Sequence, residues 1–308
     1  MAMINVMRRL IILSTIFFIP VTTSAEYALV ADYVIDGKSD DPLKNKVILV
    51  SGKKIVSIID IDAIPEKYTV INLPETTLMP GMVNAHEHPL LYQSDYQNGH
   101  LQASSAFKAL IGLKTLQRLL ASGWTSIRVM GDGDIYYANQ DIREAIDRDM
   151  FLGPRLTGAA HYISITGGGG DINYLSPEQA VIADGLIADG PHEIRKAIRQ
   201  EIKFGSDWIK IMVTGAFMSV GDNPENVSFS PEELRAAVEE AARHNIPIAA
   251  HAHATEGINQ AVIAGVRSIE HGSFLSEESI DLMVEYGTYL VPTIYAVSYT
   301  HLTLPTKA

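Results

Sequence analysis

The sequence has no cysteine, so neither a disulfide nor a thiolate metal site is open to it. Its stability must come from an apolar core, and any metal ligands must be histidine, carboxylate or modified lysine. Positive charge is also scarce: 24 Lys and Arg stand against 36 Asp and Glu, a formal net charge of −12. Binding nucleic-acid phosphate usually needs a basic footprint, so nucleic acid is not an expected partner. Long apolar runs are missing too. Leu10–Val21 covers about a dozen residues where a bilayer span needs roughly 20, and no other stretch comes closer.

What is present begins with a leader pattern. Arg8 and Arg9, the apolar run Leu10–Val21 and the small residues Thr23, Ser24 and Ala25 have the layout of a secretory signal cleaved after Ala25, not of a membrane anchor. Its removal would leave 22 basic and 36 acidic residues, a net charge of −14, and an exported protein, periplasmic or secreted, with no stable membrane span. The 308 residues are 47% hydrophobic, enough for a large core. Residues 26–79 read as a small, incomplete β-sandwich-like domain, with strands at Tyr27–Ile35, Lys46–Val50 and Lys54–Ile59 punctuated by Asp36-Gly37 and Ser51-Gly52.

From Pro80 to residue 297 the rhythm changes. Short apolar strands are expected at Met82–Ala85, Thr125–Met130, Arg155–Gly158, Trp208–Val213, Ile246–Ala250, Val266–Glu270 and Tyr289–Val291. Amphipathic helical segments alternate with them. That alternation implies a parallel sheet with helices outside. No dinucleotide fingerprint follows the first strand, which favours an α/β fold of the (β/α)₈ TIM-barrel type over a doubly wound sheet. Seven strand candidates leave the barrel incomplete, with strand eight missing. The last stretch, SYTHLTLPTKA (residues 298–308), abandons the pattern and resembles translated sequencing adapter. The expectation is a non-native tail on a fragment whose own frame continues into an eighth strand.

His86-Glu87-His88 follows the first barrel strand. Residues i and i+2 of an extended chain point the same way, so both imidazoles can reach one ion at the C-terminal end, where barrel enzymes keep their active sites. Lys210 lies inside the apolar run Trp208–Val213, where an uncompensated ammonium is costly. His251 and His253 end one strand and His271 ends the next. Glycines 167–170 with Asp171 form a loop after the third strand, and His161 stands just before it. The glycines serve either a tight turn or a substrate loop. His100, His192, His244 and His301 read as ordinary surface residues.

The segments LMPGMVNAHEHP, ITGGGGD, DWIKIMVTGA, AAHAHATEGI and AGVRSIEHGS, taken in order, resemble the amidohydrolase superfamily. The likeness is greatest to its imidazolonepropionase-like and Xaa-Pro dipeptidase-like branch. The resemblance implies that His86 and His88 bind one divalent ion and that His251 and His271 bind a second. It makes Lys210 a carboxylated lysine whose CO₂-derived carbamate bridges the two. Zinc suits such N/O donors, with manganese, cobalt and iron also compatible. His253, His161, Gly169 and Asp171 become substrate-binding candidates; Gly169 stands where relatives often carry a histidine. The implied activity is hydrolysis of an amide-type C–N bond, with a small molecule or an Xaa-Pro-like dipeptide as substrate and a cyclic amide as the alternative. The family's general base is an aspartate ending strand eight, so the catalytic residue is left unassigned. An inactive fragment or a metal-binding protein without turnover stays open, as does assembly into a homo-oligomer.

Overall fold

The computed structural model describes residues 25–134 and 136–294. The expected leader up to residue 24 and the expected foreign tail from residue 298 lie outside the described residues. Among those described, no helix is long and apolar enough to cross a membrane. The chain divides between Pro80 and Gly81 into two compact units.

The first unit is one mixed sheet of β1 (Glu26–Val34), β2 (Lys46–Ser51), β3 (Lys54–Asp60) and β4 (Thr69–Leu78), in the order β3-β2-β1-β4. Strand β1 is antiparallel to β2 and parallel to β4. Ala28, Val47, Leu49 and Tyr68 form its core. Among the described residues this unit is a single sheet. Strand β4 escaped the sequence pattern for a physical reason. Only Leu73 and Leu78 in it are even partly buried, and Pro74 and Glu75 interrupt it opposite a register shift between Ala31 and Tyr33, so no alternation marks it.

The second unit alternates strand and helix. In chain order it holds β5 (Met82–Glu87), α1 (Tyr96–Gln102), α2 (Ser105–Ala121), β6 (Trp124–Met130), α3 (Ala138–Asp147) and β7 (Arg155–Ala159). Then come β8 (Tyr162–Ser164), β9 (Leu186–Ile187), α4 (Gly190–Lys203), β10 (Ile209–Met212), α5 (Pro231–Ala242) and β11 (Ile248–Ala252). It ends with α6 (Thr255–Ala264), β12 (Ser268–His271), α7 (Glu277–Tyr286) and β13 (Tyr289–Val291). Helix α5 starts where Ser230 and Glu233 form a reciprocal capping box.

Among the described residues its strands are all parallel but form two ladders, β5-β6-β7 and β13-β12-β11-β10-β8-β9, without closing into one barrel. The break falls at Ala160-His161. Their amide N–H groups leave the ladder and donate to the buried Glu201 carboxylate, at 3.2 and 3.0 Å. Apolar side chains of the larger sheet pack with Ile194, Ile198, Leu234 and Ile258 from the helices. A second core joins Ile127 and Val129 to Leu116 and Ile142.

Candidate active site

Strand period decides which side chains reach the site. In β10, Ile209 and Ile211 pack into the helix-covered core, so Lys210 and Met212 face the other way, and both line a pocket. In β11, Ala250 and Ala252 take the core side and His251 the pocket. In β12, Ile269 is in the core, which leaves Ser268 and Glu270 on the inner face. His271 then turns through a left-handed backbone, φ 72°, to line the same pocket.

Five imidazoles cluster there. Ring centroids lie 5.0 Å apart for His86 and His88, 4.9 Å for His86 and His271, 4.6 Å for His251 and His271, and 4.5 Å for His251 and His253. Their outward nitrogens are anchored. His86 Nδ1 lies 2.7 Å from Glu270 Oε2, and His88 Nδ1 faces the Gly131 carbonyl. His251 Nε2 lies 3.1 Å from the Gly215 carbonyl. His253 Nδ1 meets Ser273 Oγ and His271 Nδ1 meets Thr293 Oγ1, both at 2.7 Å. Carboxylates and carbonyls only accept, so His86 and His88 carry their protons on Nδ1 and His251 carries its proton on Nε2.

Gly131 makes one anchor feasible. Its φ is +82°, and a Cβ there would lie 2.5 Å from the Tyr162 amide nitrogen. Only glycine lets that carbonyl stand under His88.

Burial dominates the electrostatics. It pushes His86, His251 and His271 well below the ordinary imidazole range, helped by neighbouring cationic groups including Lys210. His88 and His253 fall to about 4 by burial and the Lys210 charge, with the Gly131 carbonyl and Glu270 opposing at His88. The Lys210 ammonium is itself pushed down to about 8, by burial first, against the pull of Glu270 and with Arg128 adding to the fall. The site is a set of neutral imidazoles around an amine that readily loses its proton.

This chemistry fits divalent metal. His86 Nε2 and His88 Nε2 stand 3.1 Å apart, and with both protons on Nδ1 the two atoms present lone pairs to each other. Two facing lone pairs repel unless a cation takes the space between them. Among the described residues, no three His, Asp or Glu donors already enclose a common point as a finished shell would; the match lies in donor type and protonation.

The remaining expected residues separate. His253 lines the pocket against Phe217, ring centroids 4.6 Å apart. Gly169 lines it too, and its carbonyl accepts from Ser219 Oγ at 2.6 Å. A Cβ on Gly169 would meet Met212 Cε at 3.0 Å and Asp222 Oδ2 at 3.1 Å, so a side chain there would have to displace its neighbours. His161 and Asp171 are not brought to the pocket. His161 is buried with Nδ1 2.8 Å from Glu201 Oε1, because the chain break after β7 turns it toward α4. The Asp171 carboxylate accepts from the Gly167 and Ile172 amides, at 2.9 and 2.8 Å, and so shapes its own loop. His100 corrects the surface expectation: it is 7% exposed, bonded to Lys108 Nζ at 2.8 Å and to the Ile182 carbonyl at 3.1 Å. Sequence reasoning missed Arg128, Glu270, Tyr96, Tyr162 and the Phe217-Met218 wall. A charged residue inside an apolar strand, as in SIRVM and SIEH, was the available signal for the first two.

A family model described as Amidohydrolase family matches residues 77–305. Ochratoxinase from Aspergillus niger is 31% identical over 94% of this chain and 62% of its own length. The chain thus spans about three fifths of that curated relative. Among solved structures, a Xaa-Pro dipeptidase with bound methionine in the active site is 33% identical, with a TM-score of 0.79 over 88% of this chain and 68% of that one. A prolidase complexed with N-methylphosphonate-L-proline is 29% identical, with a TM-score of 0.77 over 88% and 66%.

Proposed function

We propose that this chain, which belongs to the amidohydrolase family, hydrolyses an amide-type C–N bond with the help of divalent metal. The observation that carries the reading is the unprotonated face of the histidine cluster, above all the two Nε2 atoms of His86 and His88 at 3.1 Å. In this reading His86 and His88 hold one ion, His251 and His271 hold a second, and Lys210 joins them as a carbamate. When bound, such ions lower the pKa of a water toward neutrality and polarise a substrate carbonyl.

The chain's own groups do the rest. Lys210, with its pKa near 8, spends an appreciable fraction of its time at neutral pH as the free amine that CO₂ requires. The amine attacks the carbon of CO₂ and loses one proton, which leaves an anionic carbamate. Leu91, Met212, Ala216, Phe217 and Met218 present an apolar wall across the pocket, where they exclude water and seat an apolar side chain beside the scissile bond. That wall, with the dipeptidase and prolidase relatives, supports a dipeptide of the Xaa-Pro kind whose first residue is apolar or aromatic. The general base that the family likeness implies, an aspartate ending strand eight, is left unassigned. Export through residues 1–25 belongs to the same proposal.

The test is metal analysis joined to an assay. Protein prepared with zinc and bicarbonate should hold close to two ions per chain and cleave Xaa-Pro dipeptides, and a chelator should abolish both. Lys210→Ala should stay folded but keep one ion at most and lose turnover by at least about 100-fold. Folded protein that takes up no zinc would end this reading.

A further inference from the structure

The side chain behind His86 has a defined job. Glu270 is fully buried, 0% exposed, on β12. Its Oε1 accepts from Arg128 Nη2 at 2.7 Å and from Ser268 Oγ at 2.6 Å. Among the described residues Oε2 is left to one partner, His86 Nδ1, at 2.7 Å. Arg128 is held just as firmly: its Nε donates to the Ala85 carbonyl at 2.7 Å, Nη1 reaches Ser268 Oγ at 3.3 Å, and its guanidinium stacks over Trp208 at 4.4 Å. One cation therefore grips both the carboxylate and the backbone next to His86.

We infer that Glu270 is a positioning residue that fixes His86 as the Nδ1–H tautomer, so that Nε2 offers its lone pair to a divalent ion, with Arg128 clamping the carboxylate in place. The inference rests on the metal-site reading above for its purpose, but the tautomer can be measured without metal. The geometry excludes the bland alternative of an ion pair that only fills space. A carboxylate present for charge alone could turn either oxygen to Arg128; here Ser268 shares Oε1 with the arginine and leaves Oε2 facing the imidazole. A ring held by an acceptor-only partner cannot flip to put its proton on Nε2 without losing that bond and leaving a buried acceptor unpaired.

Two measurements test this on the full chain. The first is the ¹⁵N spectrum of histidine-labelled, metal-free wild type, which reports which ring nitrogen of His86 is protonated. Nδ1–H is expected; Nε2–H overturns the inference even if every variant misfolds. The second uses Glu270→Gln and Glu270→Asp with zinc as the probe, thermal unfolding being followed alongside. The Gln amide can turn its NH₂ to His86 and shift the proton to Nε2, so a 10- to 100-fold weaker affinity for one of two zinc ions is expected. Glu270→Asp, still acceptor-only, should keep the Nδ1–H signature and recover part of the affinity. A folded Glu270→Gln protein with wild-type zinc affinity and an unmoved His86 tautomer overturns the inference. Wild type that binds no zinc yet shows Nδ1–H would end the metal reading while leaving the tautomer assignment standing.

Discussion

Two buried histidine–glutamate pairs in the second unit look alike and behave oppositely. His86 Nδ1 meets Glu270 at 2.7 Å and His161 Nδ1 meets Glu201 at 2.8 Å, and both carboxylates are fully enclosed. Burial pushes both imidazoles down. At His161 the hydrogen bond and charge of Glu201, with Asp134 beyond it, outweigh burial, and the pKa ends above the ordinary value. At His86 burial is reinforced by Lys210, His88 and Arg128, and the pKa falls well below it. What differs is the surrounding charge: Lys210 first, then His88 and Arg128, disfavours a proton at His86. Arg128 engages Glu270, whereas Glu201 is surrounded by the Ala160 and His161 amides, Ser206 and Tyr137. A carboxylate already claimed by an arginine orients an imidazole without charging it. One claimed only by neutral donors charges it.

The widest separation of the two pairs should come from acid. A histidine whose folded pKa is lowered makes the unfolded chain the stronger proton binder, so its contribution to stability is lost as pH falls below the unfolded value of about 6.5. For His88 and His253, held near 4, the loss from pH 6.5 to 4.5 is about 2 kcal/mol each. His161 runs the other way: its raised pKa gives stability that is complete below about 6.5 and fades as pH rises through the folded value. Urea unfolding of chelator-treated protein should therefore show a drop of at least roughly 4 kcal/mol over that acid interval, since His86, His251 and His271 are lowered in the same direction. A flat profile there would mean the cluster is not held neutral.

Next in size is removal of the carboxylate that keeps a charge. Glu201→Ala takes the shared acceptor away from the His161 imidazolium, the Ala160 and His161 amides and the Ser206 and Tyr137 hydroxyls, and should cost about 3–5 kcal/mol in urea unfolding at pH 6. Because the pair stands away from the pocket, zinc uptake per folded molecule should not change. A loss under about 1 kcal/mol would make the Glu201 pair no stronger than a surface contact and erase the contrast with Glu270.

Much of this could be read from the chain, and the rest fails for definable reasons. Lys210 stood out because an ammonium in Ile-Lys-Ile-Met is costly, and the strand alternation that puts it in the pocket is the same one that fills the core. The histidines at the ends of β11 and β12 were visible through the same period. His161 was misplaced because its orientation depends on a two-residue break in the ladder, and the partner that causes the break, Glu201, lies 40 residues away on α4. Split ladders, β8, β9 and α1 were hidden likewise: short elements bounded by tertiary hydrogen bonds carry no period of their own. Glu270 was written in plain view beside His271. Its role depends on Arg128, which only folding brings near.

The smallest effect concerns the pocket wall and separates substrate contact from the metal end. Phe217 packs edge-on against His253 at 4.6 Å and lies 6.2 Å from Phe274. It is placed by a loop whose Ser219 bonds to the Gly169 carbonyl and to Tyr96 Oη, at 2.6 and 2.8 Å. That anchoring does not involve the Phe217 ring, so Phe217→Ala should leave the loop and zinc uptake unchanged while removing aromatic surface. An aromatic pair is worth about 0.5–1.5 kcal/mol beyond burial, which corresponds to a KM rise of roughly 2- to 12-fold for dipeptides with an aromatic first residue. Their kcat should hold, since uniform binding is what is lost, and dipeptides with a small first residue should be nearly unaffected. If kcat falls with KM unchanged, the ring instead acts through His253, and the wall would have to be counted with the histidine cluster rather than against it.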